Sequence, residues 1–486
     1  MKLGIVLFYA LSLTTSALAD TIRVGMPNRI NSLDPVGATN AQERFLLPLL
    51  FQPLFYIDQA GSILPSLAES YEEVEKGVVK LKIKKNQRFS DGSLLAASDV
   101  VASLKTLCAK GSYNLIPIRT LVGCEKGGAP QVIAVNNNEL TFKLRGSLNY
   151  FLYELASPFL FIFKSTPGGI IGSGEFKKKF LSESKAIIER VNSVAGMPNE
   201  MELFYITEKG VTDELQANKI DIASMFVDRD IQKIDLQRFK KISTSNDVVT
   251  VITINPKRIK DVPESILRQI GSELKSDLQL SKCDTSKTIA NGIVPEGIGG
   301  YLNTQIDSAY SKTLKLPKPI TLNIHVAADR LIDCETMAFE HIMLRHNIHI
   351  KIIYEADYIK LKLNYGTDNI DGYLEHFVFY TRDAGRFFSR FTSFSNAPVF
   401  YIQSRKVEEL MKDAENSSEI QTRFGIYRKI NAVIETYHNL FPLNYMGHSI
   451  IWNKCISFKG SSGNTPTNPN TFLYLRDAYK TNCTGS

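Results

Sequence analysis

The chain of 486 residues has one Trp and six Cys, so it is poor in residues that often mark chemistry. None of the Cys stands in a C-x-x-C pair, and the spacings of a zinc ribbon or a dithiol redox motif are therefore missing. There is no G-x-S-x-G elbow, no S-x-x-K with its partner motifs and no H-E-x-x-H. These are the usual marks of serine and metal-dependent hydrolases. All seven His lie in the C-terminal half. After the first stretch no apolar run approaches the roughly 20 residues that a membrane span needs. Internal repeats and low-complexity segments are also absent. A net charge of +7 is mild on this length, and its basic residues are scattered apart from short runs such as Lys177 to Lys179. They read as solvated surface, so no nucleic-acid partner is expected.

What is present begins with an export signal. Lys2 supplies a positive start, Leu3 to Thr14 is mostly apolar, and Ala17-Leu18-Ala19 is an A-x-A-like cleavage site. Residues 1–19 are thus expected to be a signal peptide, with Asp20 as the mature N-terminus. The run is too short for a membrane anchor, and no Cys follows it to carry a lipid. What remains is too long for one typical core and suggests two or three domains. An even Cys count in an exported chain suggests disulfides. Cys108 with Cys124, Cys455 with Cys483 and Cys283 with Cys334 is one connectivity among the many open to six Cys. A metal site is the rival use of these residues.

The segment from Leu54 to Leu104 has the clearest local patterns. Leu54 to Ile57 is apolar and ends in the turn Asp58-Gln59-Ala60-Gly61. Val79, Leu81 and Ile83 alternate with Lys80, Lys82 and Lys84, which predicts a half-buried strand. Asp91-Gly92 makes a turn, and Ser98 and Asp99 stand at an expected N-cap and first helical turn.

The same segment carries a family likeness. Pro65-Ser66-Leu67-Ala68-Glu69-Ser70-Tyr71 resembles the P-x-L-A-E-S-W element of bacterial extracellular solute-binding proteins serving peptide, dipeptide and nickel ABC importers (family 5, oligopeptide-binding-protein-like). Phe89-Ser90-Asp91-Gly92 and Ala97 to Leu104 resemble its F-x-D-G and A-x-D-V-x-x-S elements, and Ser32-Leu33-Asp34-Pro35 matches its S-L-D-P. Further on, Gly172-Ser173-Gly174-Glu175-Phe176 resembles its G-T-G-P-Y turn. Glu214 to Ile222 resembles its L-x-x-G-x-I-D, with Asn218 at the Gly position; Asn also tolerates the left-handed backbone such a position needs.

The resemblance implies an α/β, two-lobed periplasmic-binding-protein-like fold (type II, cluster C-like) with an additional inserted α+β domain. Lobe I is assigned to residues 20–47, 165–250 and 441–486, the inserted domain to 48–164, and lobe II to 251–440. The crossings fall near Val251–Asn255 and Leu440–Tyr445. Strands are expected at 21–25, 132–135, 140–144, 201–206, 248–255, 320–324, 348–354 and 372–380, and helices at 334–345, 407–415 and 421–437.

The resemblance also nominates the site. Asp371 matches the Asp of the family's G-x-Y-D, and Phe377 falls where many members have Trp. Asp383 falls on the Asp of the following D-P, with Ala384 in place of Pro. In peptide-binding members this strand bonds the ligand backbone, which implies His376, Phe377 and Val378 at the ligand, facing Thr39, Asn40 and Ala41. Adding an extended ligand to a strand suits this task because main-chain bonds do not depend on side-chain identity. The chain departs from the pattern at Tyr380, where peptide binders place an Asp for the ligand ammonium. A phenol is uncharged near neutral pH, and Asp383 or Glu375 could supply the charge instead. Glu340, His341, His346 and His349 cluster in sequence and form the metal alternative.

The expected function is therefore that of a monomeric, periplasmic binding protein, without a cofactor and not an enzyme. It would pass a peptide or peptide-like small molecule to an ABC-transporter permease and ATPase complex. A secreted hydrolase, or a ligand-sensing or scaffold protein reusing the fold, is the alternative.

Overall fold

The computed structural model describes residues 21–481 except 39, 59–61, 111–117, 125–127, 158–159, 208–209, 227–233, 244–246, 281–287, 304–311, 328–333, 356–366, 368–369, 380, 393–400 and 461–472. The expected signal peptide lies outside the described residues. Among the described helices, none is long and apolar enough to cross a membrane.

Two large sheets organise the described residues. The first has seven strands, in the order Phe176–Leu181, Lys185–Arg190, Glu200–Tyr205, Thr21–Met26, Ile222–Phe226, Ser449–Asn453 and Phe239–Ser243. Thr21–Met26 runs parallel to both its neighbours, and the other pairs are antiparallel. The second has six strands, in the order Thr288–Ile289, Leu440–Met446, Val248–Ile254, Gly372–Val378, Ile320–Ala327 and Ile348–Glu355. All seven residues of Val248–Ile254 are buried. That is why VVTVITI reads as a continuous β-branched run and not as an alternation: both faces of this central strand are covered. Ile320–Ala327 and Ile348–Glu355 are parallel and joined through helix Cys334–Arg345, the crossover that a parallel pair requires.

A third, four-stranded antiparallel sheet lies within 68–143: Ala68–Glu75, Val78–Ile83, Glu139–Lys143 and Val132–Ala134. The expected alternation holds, with Val79, Leu81 and Ile83 buried and the three lysines exposed. The helix Ala97–Lys110 starts two residues earlier than the Ser98 cap implied. Ser98 sits inside the first turn, and the capping carboxylate is Asp99, whose Oδ2 accepts the Ala96 N–H at 2.8 Å. The Asp reaches back to an open amide donor where the Ser was expected to reach forward.

The Gly-rich stretch at 172–174 is a packing device. A Cβ on Gly172 would stand 2.0 Å from the Leu50 carbonyl oxygen, and one on Gly174 2.4 Å from that of Leu49. Gly174 N–H donates to Leu50 O at 2.8 Å, and Ser90 N–H donates to Gly172 O at 2.8 Å. The loop therefore joins the helix Ala41–Leu50 to the Phe89–Gly92 turn. Asn218 is left-handed, with φ 54°, as its place after helix Val211–Gln216 requires.

The cores are unequal in reach. One apolar cluster runs without a break from Ile22, Val24, Met201 and Trp452 of the first sheet to Leu67, Leu81, Phe142 and Phe151 of the 48–164 segment. The second sheet has separate clusters, one around Val251, Tyr373 and Phe388 and one around Ile252, Leu322 and Phe339. These belong to opposite faces, since Val251 and Ile252 are consecutive on one strand.

Cys108 and Cys124 form a disulfide, as expected from their spacing. Cys334 and Cys455 are also disulfide-bonded, while their expected partners Cys283 and Cys483 lie outside the described residues. The Cys108–Cys124 bridge joins positions 16 apart. Loop-closure entropy then predicts that replacing both by Ser costs about 3 kcal/mol. Urea denaturation without reductant checks this; an unchanged midpoint for the double variant would show that the bridge contributes nothing.

Candidate functional site

The two sheets are joined by two connectors whose flanking residues are neighbours at both ends. One runs from Phe239–Ser243 to Val248–Ile254, and the other from Leu440–Met446 to Ser449–Asn453. Val248 pairs with Met446, and the Ser243 and Ser449 hydroxyls stand 3.2 Å apart on the first-sheet side. Asp247 and His448 occupy the connectors themselves, with Oδ1 and Nδ1 3.8 Å apart, beyond hydrogen-bond distance. Burial pushes the Asp247 carboxyl up to about 7 and the His448 imidazole down to about 4. Each group is thus driven toward its neutral form.

Strand Gly372–Val378 ends at this junction. It pairs with Val248–Ile254 along its whole length, whereas Ile320–Ala327 reaches it only at Gly372 and Tyr373. Val378 lies opposite Val248 and packs against the apolar cluster of the first sheet. The strand nominated from sequence therefore runs to the seam between the two bodies.

Its residues differ in environment. His376 and Val378 are half-buried. Phe377 is only 5% exposed; its ring meets Phe387 edge-on at 5.8 Å and lies under the Arg390 guanidinium at 5.3 Å. Tyr380 and Thr39 lie outside the described residues. Asn40 caps helix Ala41–Leu50: its Oδ1 accepts from Glu43 N–H at 2.9 Å and its Nδ2 donates to Arg29 O at 2.9 Å. Ala41 is the first residue of that helix. Glu43 also accepts from the Asn31, Ser32 and Asn40 amides, so one buried carboxylate shapes the segment that leads into the helix.

Asp383 is engaged within the fold. Its Oδ2 accepts from Arg423 Nε at 2.8 Å and its Oδ1 from Gly385 N–H at 2.8 Å. Arg423 is fully buried on helix Ile420–Glu435. The sequence reading did not single out Arg423. Its signal was there: Arg423, Tyr427, Ile430 and Ile434 fall on one helical stripe, and all are buried.

The histidine cluster does not converge. His341 and His349 are exposed, whereas His346 is fully buried with Nδ1 2.5 Å from Leu314 O. Among the described residues, no group of three or more His, Cys, Asp or Glu could hold a metal ion. A cavity of about 290 Å³ lies elsewhere, between helix Glu264–Leu280, the end of helix Ile420–Glu435 and strand Leu440–Met446. None of the nominated site residues lines it.

Comparison with known proteins fits this geometry. Residues 62–268 match the family model of the bacterial extracellular solute-binding proteins, family 5 Middle. No curated protein sequence matches the chain. The Escherichia coli murein tripeptide binding protein MppA is similar over 95% of this chain and 98% of its own, at 15% identity and a TM-score of 0.79. Helicobacter pylori DppA in complex with the peptide STSA matches over 95% and 98%, at 14% identity and a TM-score of 0.79. MppA in its unliganded open form matches over 96% and 98%, at 14% identity and a TM-score of 0.64. The fold is thus that of the two-lobed periplasmic binding proteins. The family likeness covers residues 62–268, less than half of the chain, and the likeness to the solved structures extends the shared fold over nearly all of it.

The connector pair gives a pH test. Folded Asp247 keeps a proton that the unfolded chain, with an ordinary value of 3.8, has already released. Its contribution to stability therefore falls as pH rises from about 4 to about 7 and is flat above. His448 acts in the opposite sense, losing stability as pH falls from 6.5 to about 4. Asp247→Asn should be more stable than wild type by roughly 2–4 kcal/mol at pH 8, and the difference should shrink toward nothing near pH 4. Denaturation midpoints across that range decide it, and a difference that does not vary with pH would rule out the protonated carboxyl.

Proposed function

We propose that the chain is an exported solute-binding protein that captures a peptide or peptide-like small molecule between two lobes and delivers it to an ABC importer. In this reading it works as a periplasmic monomer and hands its ligand to a membrane permease and ATPase complex. Lobe I comprises 20–47, 165–250 and 441–486, lobe II comprises 251–440, and 48–164 is the inserted domain. The two adjacent connectors act as the hinge, and ligand favours closure by binding the closed arrangement more tightly than the open one.

The observation that carries this reading is the position of strand Gly372–Val378, whose end meets the core of the other sheet beside both connectors. His376, Phe377 and Val378 line the cleft from one side and Thr39, Asn40 and Ala41 from the other, with Tyr380 beyond the strand. Phe377 serves as a packed wall, consistent with its low exposure. Asp383 shapes the loop after the strand through Arg423 and Gly385, so its charge is already matched. A ligand ammonium buried here would need another counter-charge.

Native mass spectrometry of the purified protein, with thermal-shift screening of short peptides, opines, sugars and metal chelates, tests the function. A true ligand at 100 times its Kd stabilises by about 2.7 kcal/mol and raises Tm accordingly. If nothing co-purifies and no compound class moves the transition, the binding reading fails.

A further inference from the structure

The 48–164 segment has two kinds of neighbour. Toward the first sheet its contact is apolar, within a single continuous core. Toward the 251–440 part its contact is polar and centred on two arginines. Arg119, 5% exposed, forms an ion pair through Nε with Glu415 on helix Arg405–Asn416. Its Nη1 donates to Thr392 Oγ1 at 3.1 Å. The Arg119 backbone is fixed from its own side: its N–H donates to Glu154 at 2.7 Å, and its carbonyl accepts from Arg145 Nε at 2.6 Å. Ser147 adds two bonds across the seam, from its N–H to Glu415 O at 2.9 Å and from its Oγ to Ser417 O at 3.1 Å.

The second arginine reaches the other way. Arg423, held by Asp383, donates through Nη1 to Asn149 Oδ1 at 3.2 Å. Its guanidinium lies over the rings of Tyr150 and Tyr153 at 5.5 and 5.4 Å. Each body thus sends one buried cation into the other.

Such a seam can open where an apolar core cannot. On separation the charged groups regain water, so they remain satisfied in both arrangements, but their mutual contacts exist only when the seam is shut. The chain matches the DppA–peptide complex with a TM-score of 0.79 and the open form of MppA with 0.64.

We propose that Arg119 and Arg423 are positioning residues of the closed cleft: they fasten the inserted segment to the second lobe and set ligand affinity without touching the ligand. The inference rests on the two-lobed binding reading above. Removing Arg119 leaves Glu415 buried and unpaired when the seam is shut but hydrated when it is open, so the balance moves toward the open form. The same reasoning applies, with opposite sign of the orphaned charge, to Glu415→Gln.

Small-angle scattering on protein shown by native mass spectrometry to be free of ligand reads this balance directly. Arg119→Met and Glu415→Gln should each enlarge the radius of gyration relative to wild type. Each should also weaken binding of the ligand found by screening, by roughly 5- to 150-fold, the usual range for coupling between two states. The double variant should be no worse than the poorer single one, because the two residues act through one contact. If Arg119→Met does not fold, Glu415→Gln, which keeps the side-chain shape, carries the test alone. Folded variants with wild-type dimensions and affinities within about twofold of wild type would overturn the proposal. The dimensions need no ligand, so a failed ligand search would count against the binding function and leave this result standing.

Discussion

The structure depends on where apolar contact stops. The first sheet and the 48–164 segment share one core, so Ile22, Leu67 and Phe142 cannot be parted without exposing hydrocarbon. The second sheet closes its own cores on each face through Val251 and Ile252, and needs nothing from the other body to do so. What remains between the bodies is a largely polar seam, with an apolar contact at Val378 beside the two short connectors. Separation at this seam would leave the cores on either side largely intact, which is the motion that the proposed cleft-binding function requires.

The connectors make this economical. Because Val248–Ile254 and Leu440–Met446 are neighbours in the second sheet, both chain crossings leave it at the same place. In the proposed reading, a rotation there would act on the few residues between the ladders and leave the ladders themselves paired. Asp247 and His448 lie at that point, buried and held toward their neutral forms. Two charged groups at the pivot would have to be desolvated together whenever it packed tightly.

Local rules made single elements legible, whereas the two-lobed fold came from the family likeness. The Val79-Leu81-Ile83 alternation, the β-branched run at 248–254 and the helix at 334–345 follow from spacing, the left-handed Asn218 from the likeness that put it at a Gly position, and each stands in the structure. Where two rules competed, the wrong one was chosen: Ser98 and Asp99 are both capping residues, and only the three-dimensional turn shows which one bonds an open amide. The seam was illegible because its pairs are far apart in the chain. Arg119 and Glu415 are separated by 296 residues, and nothing in a window around either predicts the other. Arg423 was readable only halfway: the helical stripe announces its burial, but not the carboxylate that makes burial tolerable.

Asp383 shows how that missing partner changes a functional reading. From sequence it was a carboxylate near the end of the nominated strand, free to hold a ligand ammonium in place of Tyr380. In the folded chain its charge is matched by a guanidinium with no exposure to solvent. A ligand amine that displaced Arg423 from Asp383 would remove one partner of a buried pair, at a cost of about 3–5 kcal/mol. Displacement would also disturb the Arg423 contact with Asn149, and with it part of the seam. On the proposed reading, recognition and closure would compete for the same carboxylate, because the guanidinium that matches Asp383 also bonds Asn149 across the seam. A cationic ligand terminus at this point would then be disfavoured by the contact proposed to shut the cleft.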